Sequence, residues 1–294
     1  MTIGHPGRPA PVTRAVDHMR AKSNMSPTIV QPVSPAAGYI GGKRNLARRL
    51  TAIIDQVPHD CYAEPFVGMG GIFLRRTRKP KAEAINDISG DVATFFRVLQ
   101  EHYPYFIDMM RWRVASRAEF ERLRALPADR LTDLQRAARF LYLQRLAFGG
   151  KVEGRHFGVD RHNGSRFNIA KLEPMLADIH ERLAGVVIEQ LGYGAFIRRY
   201  DGAETLFYLD PPYWGCETDY GQDVFGRADF EQLADQLAGI AGKFILSINA
   251  TPGALAMFSR FHVVEVGTSY TIGSANGGAG AARELIVSNF PLPG

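Results

Sequence analysis

Cysteine is nearly absent from this chain, with two in 294 residues, Cys61 and Cys216. They form neither a C-x-x-C pair nor a disulfide framework, so no zinc site is expected and a reducing compartment fits. His156 and His162 stand without acid or cysteine spacing, so no metal is expected. No apolar run comes near the roughly 20 residues of a membrane helix, and the first residues lack a signal-like apolar core. A soluble, cytoplasmic protein with no membrane partner is expected. Neither basic nor acidic residues dominate: 35 Lys and Arg against 30 Asp and Glu leave a net value of +5, and the pI is near 9.2. That balance is compatible with a polyanionic partner without requiring one.

Apolar residues make up 46% of the chain, enough to bury one large core or two modest ones. Residues 1–35 hold scattered prolines and basic residues without apolar periodicity, and are expected to be a disordered arm. From Gly38 the texture changes. "RNLARRLTAIIDQV" spaces Leu46, Leu50, Ile53 and Ile54 as an amphipathic helix does. "CYAEPF" and "AEAIND" read as strands, with helices expected from "GGIFLRRTR" and "DVATFFRVLQEH". Strand, helix, strand, helix predicts a parallel α/β sheet. Residues 101–183 break the rhythm with helical segments such as "DLQRAARFLYLQRLAF" and a glycine-rich, basic stretch from Gly149 to Phe167. Strands then resume with "GVVIEQL", "TLFYLD", "KFILSIN", "HVVEV" and "ELIVSNF", and helix "RADFEQLADQLAGI" separates two of them. The chain therefore divides into an arm (1–35), a first sheet segment (36–100), an insertion (101–183) and a second sheet segment (184–294). Trp112, Phe95 and Phe96 are expected in the core.

Two stretches carry chemistry. In "EPFVGMGG" the glycines Gly68, Gly70 and Gly71 let the backbone turn tightly against a ligand. Asp87 follows Gly68 by about twenty residues, the separation that sets an acid on ribose hydroxyls in a βαβ unit. The third glycine of a dinucleotide fingerprint is replaced by Phe73, which favours a ligand with a ribose and no pyrophosphate, such as S-adenosylmethionine; a purely structural glycine turn is the alternative. "GYIGGKRN" has one spacer too few for a phosphate loop and Arg44 where a magnesium-binding hydroxyl belongs, so it is a glycine turn or a lid carrying Tyr39 and Lys43.

The second stretch is "YLDPPYWG". Consecutive prolines cannot continue a helix or a central strand, so Asp210–Pro211–Pro212–Tyr213 forms a stiff turn at a strand tip. A carboxylate and a flat ring held in one frame suit a flat polar ligand; an ordinary strand-ending turn is the competing view.

"GGK", "EPFVGMGG", "IND", "DPPY", "ILSIN" and "SANGG" follow one another in an order that resembles the Dam-type (D12 class) DNA adenine N6-methyltransferases, from about Gly38 to Phe290. The resemblance implies a Rossmann-like S-adenosylmethionine-dependent methyltransferase sheet with an inserted, mostly helical target-recognition domain at 101–183. It implies double-stranded DNA as partner and a flipped adenine as methyl acceptor, with a cognate restriction enzyme as a further candidate partner. Tyr39, Lys43, Glu64, Phe66, Gly68, Gly70, Asp87 and Ile88 would line or close the donor pocket, with Asp210 at its edge. Asp210, Pro211, Pro212 and Tyr213 would hold the base. GATC-specific members usually have a lysine where this chain has Gly38, so that target is not implied.

These residue types suit the reaction. The N6 lone pair of adenine is delocalised into the ring; if the Asp210 carboxylate and the Pro211 carbonyl each accept an N6–H, the lone pair is freed. Tyr213 would stack on the extruded base. No Pro-Cys pair is present, which disfavours cytosine C5 chemistry. Cytosine N4 poses the same amine problem, though serine more often precedes the prolines there. Methylation of protein glutamine or RNA, and a catalytically dead DNA-binding module, are the remaining alternatives. Lys151, Arg155, Arg161, Asn163, Arg166 and Asn168 are candidate phosphate or base contacts. "RRTRKPK" is expected to cap a helix or face solvent, and Asn249 to be a turn former or part of the base pocket.

Overall fold

The computed structural model describes residues 1, 27–39, 41–43, 45–152, 154–158, 162, 164–216, 225–269 and 281–293. In chain order the elements are β1 (Thr28–Ile29), α1 (Ala47–Gln56), β2 (Cys61–Glu64), β3 (Arg78–Lys79), β4 (Ala82–Asn86), α2 (Gly90–Glu101), α3 (Tyr103–Arg111), α4 (Arg117–Ala125), α5 (Asp133–Leu146) and α6 (Ile169–Arg182). They continue with β5 (Val187–Glu189), α7 (Tyr193–Tyr200), β6 (Thr205–Leu209), α8 (Arg227–Ala238), β7 (Lys243–Asn249), α9 (Pro252–Met257), β8 (His262–Ser269) and β9 (Ala281–Ser288).

Seven strands form one sheet in the order β5-β4-β2-β6-β7-β9-β8, while β1 and β3 pair separately. The first five run parallel. Strand β9 runs antiparallel to both β7 and β8, so the wholly parallel expectation fails at this edge. Directly opposed apolar pairs such as Ile248 with Leu285 and Leu246 with Val287 hold the reversed register.

Alternate residues along the central strands feed different cores. Tyr62, Ile85, Leu206, Tyr208, Ile245 and Ile286 face α1, α2 and the inserted helices. Ala63, Ala84, Phe207, Leu209, Phe244 and Leu246 face the side covered by α7, α8 and α9. The near-continuous apolar runs follow from this double coverage. Phe106, Phe120, Phe140 and Leu176 of the insertion share one core with Phe95 and Phe96 of α2, so the insertion is packed on the sheet layer. Helix α5 opens with a capping box, the Thr132 hydroxyl accepting from Gln135 N (3.3 Å) and the Gln135 side chain from Thr132 N (3.0 Å).

Three expectations are corrected here. The glycine stretch is followed by a single 3-10 turn, Phe73–Arg75, in place of a helix. Arg76 leaves that path in an extended conformation to reach Glu83 at 2.7 Å and cover the Tyr62 ring at 3.6 Å. Within "RRTRKPK" Arg76 is thereby buried, while Thr77, Arg78 and Lys81 face solvent as expected. Trp112 is 85% exposed rather than core, because α3 stops at Arg111 and turns Phe106, Ile107 and Met110 inward. The arm is shorter than expected: β1 pairs with β3, and Val33 N donates to Leu74 O at 2.8 Å. Residues 2–26 of the expected arm lie outside the described residues, as do Arg44 and the "SANGG" stretch at 274–278.

The strand order reverses beside β2: β4 and β5 lie on one side, β6 and β7 on the other. In open α/β sheets the crevice beyond the carboxyl ends of the strands at such a point binds ligands. The loops leaving β2 and β6 carry the two stretches singled out from the sequence.

Candidate active site

Beyond β2, Gly68 and Gly70 adopt φ of +50° and +76°, a region that L side chains enter at a cost. A Cβ on Gly68 would stand 3.0 Å from the Tyr39 ring, so Tyr39 lies directly over this turn. The turn is fastened to the next strand. Gly68 N donates to Asp87 Oδ2 at 2.9 Å, and Ser89 N donates to Asp87 Oδ1 at 2.9 Å. Asn86, which sequence reasoning quoted without assigning work to it, donates to the carbonyls of Pro65 and Leu191 at 2.9 Å each and accepts from Leu191 N at 2.8 Å.

Burial pushes the Asp87 carboxyl up to about 6, against the pull of its two backbone N–H bonds. The Tyr39 phenol is raised by burial and by the Asp87 charge. Next to Asp87, Ile88 is 50% exposed and offers an apolar face at the strand tip. Phe66 is half-buried against Tyr193 (5.7 Å) and Phe225 (5.9 Å). A tight turn roofed by Tyr39, an acceptor carboxylate and the exposed Ile88 beside it are the groups here that could hold a ligand with a ribose and a flat ring. Glu64, expected among the donor contacts, is 1% exposed and takes the Tyr62 hydroxyl at 2.6 Å. Burial raises its carboxyl to about 8, so it is mostly uncharged at neutral pH and braces the loop from inside.

At the tip of β6, whose five residues are buried, Asp210 keeps 21% of its side chain exposed. Pro211 and Pro212 are buried, and Tyr213 is half-buried. Lys43, expected to close the donor pocket, reaches the Asp210 corner. Its side chain is fully buried, with Nζ 2.9 Å from Asp210 Oδ1, 2.9 Å from the Tyr213 hydroxyl and 4.0 Å from the centre of the Tyr213 ring. Burial lifts the Asp210 carboxyl to about 6; Lys43 lowers it, Glu284 raises it, and a hydrogen bond from Ser247 lowers it.

Strands β7 and β9 support this turn. Asn249 accepts from Trp214 N at 2.8 Å and donates to Trp214 O at 3.0 Å, so it is a clamp on the turn. Ser247 bonds the Tyr208 hydroxyl at 2.7 Å. Glu284 accepts from the Tyr213 hydroxyl at 2.6 Å. Glu284 was read only as the start of a strand; the available signal was a lone carboxylate heading the apolar run Leu285, Ile286, Val287.

In the insertion, Lys151, Arg166 and Asn168 are exposed, while Arg161 and Asn163 lie outside the described residues. Arg155 is 9% exposed and serves as an internal strut, donating to Gln144 Oε1 at 3.2 Å and Lys151 O at 3.2 Å. Gln144 in turn donates to Gly38 O at 2.9 Å and Gly150 O at 2.7 Å, joining the insertion to the segment that carries Tyr39.

A Rossmann-like sheet with a glycine turn after β2, an acid after β4 and a proline-stiffened carboxylate corner after β6 defines a methyltransferase of amino nitrogens. The family model of the D12 class N6 adenine-specific DNA methyltransferases matches residues 39–272, and the chain belongs to that family. It is similar to the type II methyltransferase M.CviBI of Paramecium bursaria Chlorella virus NC1A, 21% identical over 88% of this chain and 100% of that protein. It is also similar to the type II methyltransferase M1.LlaDCHI of Lactococcus lactis subsp. cremoris, 24% identical over 87% and 95%. The chain is accordingly a DNA methyltransferase of the N6-adenine class. Among the described residues no helix is long and apolar enough to cross a membrane.

Proposed function

We propose that the chain transfers the methyl group of S-adenosylmethionine to N6 of an adenine flipped out of duplex DNA at a specific site, the activity classed as EC 2.1.1.72. The observation that carries this reading is Asp210, a partly exposed carboxylate at the tip of β6, followed by two buried prolines and a half-buried tyrosine at the strand-order switch. The donor supplies an electrophilic methyl on a sulfonium centre. Gly68, Gly70 and Asp87 would hold it, with Ile88, Phe66 and Tyr39 as apolar walls. The Asp210 carboxylate and the Pro211 carbonyl would each accept an N6–H of the base, drawing the nitrogen toward tetrahedral geometry and freeing its lone pair. Stacking on Tyr213 offsets stacking lost on flipping, a contribution of about 1–3 kcal/mol per base.

In this reading residues 36–100 and 184–294 form the catalytic sheet, and 101–183 reads the target. Lys151, Arg166 and Asn168, which are exposed, would make phosphate or base contacts, with Arg161 and Asn163 proposed on sequence alone. Both relatives are named type II methyltransferases, and a restriction enzyme cutting the same unmodified site is the partner that this suggests. Duplex DNA as substrate places the work in the cytoplasm. Incubation with methyl-labelled S-adenosylmethionine and mixed-sequence duplex should yield labelled N6-methyladenine. Label appearing only at cytosine N4, or in no DNA, would overturn the assignment.

A further inference from the structure

Glu284 is a buried anion in a place where packing alone would favour an apolar residue. It lies in β9 opposite Asn249 of β7 and Val266 of β8, is 0% exposed, and is followed by the apolar run Leu285 to Val287. Removing a carboxylate from water is costly unless it is paired. Among the described residues its side-chain partners both belong to the base corner: Tyr213, whose hydroxyl donates to Oε1 at 2.6 Å, and Lys43, whose Nζ stands 3.4 Å from Oε2. Among the described residues Oε2 accepts no hydrogen bond, so what it contributes is charge directed at Lys43.

We propose that Glu284 is a positioning residue of the methyl-transfer site, locking the Tyr213 ring and drawing the Lys43 ammonium away from full neutralisation of Asp210. The proposal rests on the adenine reading above. One ammonium lies between two carboxylates, at 2.9 Å from Asp210 and 3.4 Å from Glu284. That triad keeps one net negative charge, which leaves Asp210 a strong acceptor for an amine hydrogen. Without Glu284, Lys43 and Asp210 would close into a neutral pair, and the Tyr213 hydroxyl would lose an anionic acceptor.

The groups that face Asp210 come from several elements. They are Lys43 before α1, Glu64 of β2, Tyr208 of β6, Tyr213 of the turn, Ser247 of β7 and Glu284 of β9. Of the charges acting on Asp210, Glu284 raises its pKa and Lys43 lowers it. Loss of the Glu284 charge should therefore move the acid limb of the reaction to lower pH.

The test uses the full chain with Glu284→Gln, which keeps the shape and an acceptor for Tyr213 while removing the charge. S-adenosylmethionine affinity is measured by calorimetry, and single-turnover methylation of mixed-sequence duplex is followed across pH. Donor affinity should stay within about twofold while the transfer rate falls about ten- to hundredfold and its acid limb shifts downward. In a Tyr213→Phe background the same substitution should cost less, because the shared contact is already gone. An unchanged rate and acid limb in Glu284→Gln, with the wild type active, would overturn the inference alone. So would a rate loss matched by lost donor affinity and a lowered melting temperature, which marks a brace of the fold. A wild-type chain that methylates no adenine would instead remove the parent reading.

Discussion

Asn249 and Glu284 face each other across the antiparallel pairing of β7 and β9, and each grips a different part of one turn. Asn249 holds the main chain of Trp214 by two hydrogen bonds, and Glu284 holds the hydroxyl of Tyr213. The prolines stiffen the turn from within, while this cross-strand pair fixes it to the sheet. Orientation of this kind is a large part of what a site contributes when the reacting amine is a poor nucleophile.

Asp210→Ala removes the carboxylate that would accept an N6–H. The transfer rate should fall by about a hundred- to a thousandfold, the loss typical of removing one preorganised electrostatic partner. Donor affinity should be largely kept, because Asp87 and the glycine turn belong to the neighbouring loops. Calorimetry beside single-turnover kinetics checks both; a parallel loss of donor binding would reassign Asp210.

Asp210 and Asp87 both titrate near pH 6, raised from 3.8 chiefly by burial. As acceptors they must be ionised, so kcat/KM should fall as pH drops through about 6. Stability runs the other way. A folded-state pKa above the unfolded value contributes stability that is present below 3.8 and is lost as pH rises through about 6. In Asp210→Asn the melting temperature should therefore vary less between pH 4 and 6 than in the wild type. An equal or steeper dependence would show that the carboxyl is not raised.

Gly68→Ala tests the turn over which Tyr39 lies. The positive φ disfavours any L side chain by roughly 1–2 kcal/mol, and the new methyl would meet the Tyr39 ring at 3.0 Å. Donor affinity should weaken by about tenfold, where about 1.4 kcal/mol is a factor of ten. Circular dichroism should stay unchanged. Wild-type affinity would mean that the turn does not approach the donor.

Glu83 is the centre of a buried ionic network, bound to Arg76 at 2.7 Å and to Arg182 by two bonds of 2.7 Å. It ties β4 to α6 of the insertion. Glu83→Ala leaves two guanidinium groups buried without their shared carboxylate and should cost about 3–5 kcal/mol. Urea denaturation measures the loss; a shift below 1 kcal/mol, small beside that range, would show that the arginines find other acceptors.

Much of this was legible in the sequence where burial and period coincide. "KFILSIN" forms β7 residue for residue, since a strand covered on both faces is a near-continuous apolar run, interrupted here by Ser247 and bounded by polar ends. The Gly68–Asp87 relationship could also be read, because its spacing is set by one strand-turn-strand unit. Contacts made across the sheet left weaker marks. Nothing local in β9 encodes its reversed direction between β7 and β8. The burial of Arg155 depends on Gln144 eleven residues before it, and the place of the Lys43 side chain depends on Asp210 and Glu284, far along the chain. Trp112 has the composition of a core residue but follows the end of α3, off the face that Phe106, Ile107 and Met110 turn inward.

The carboxamide of Gln144 bonds Gly38 and Gly150 with the same nitrogen. It acts as a rivet through two loops, one beside Tyr39 and the other at the head of the stretch proposed to meet DNA. That shared donor couples the two loops, so engagement of the nucleic acid would be felt at the loop proposed to close over the methyl donor.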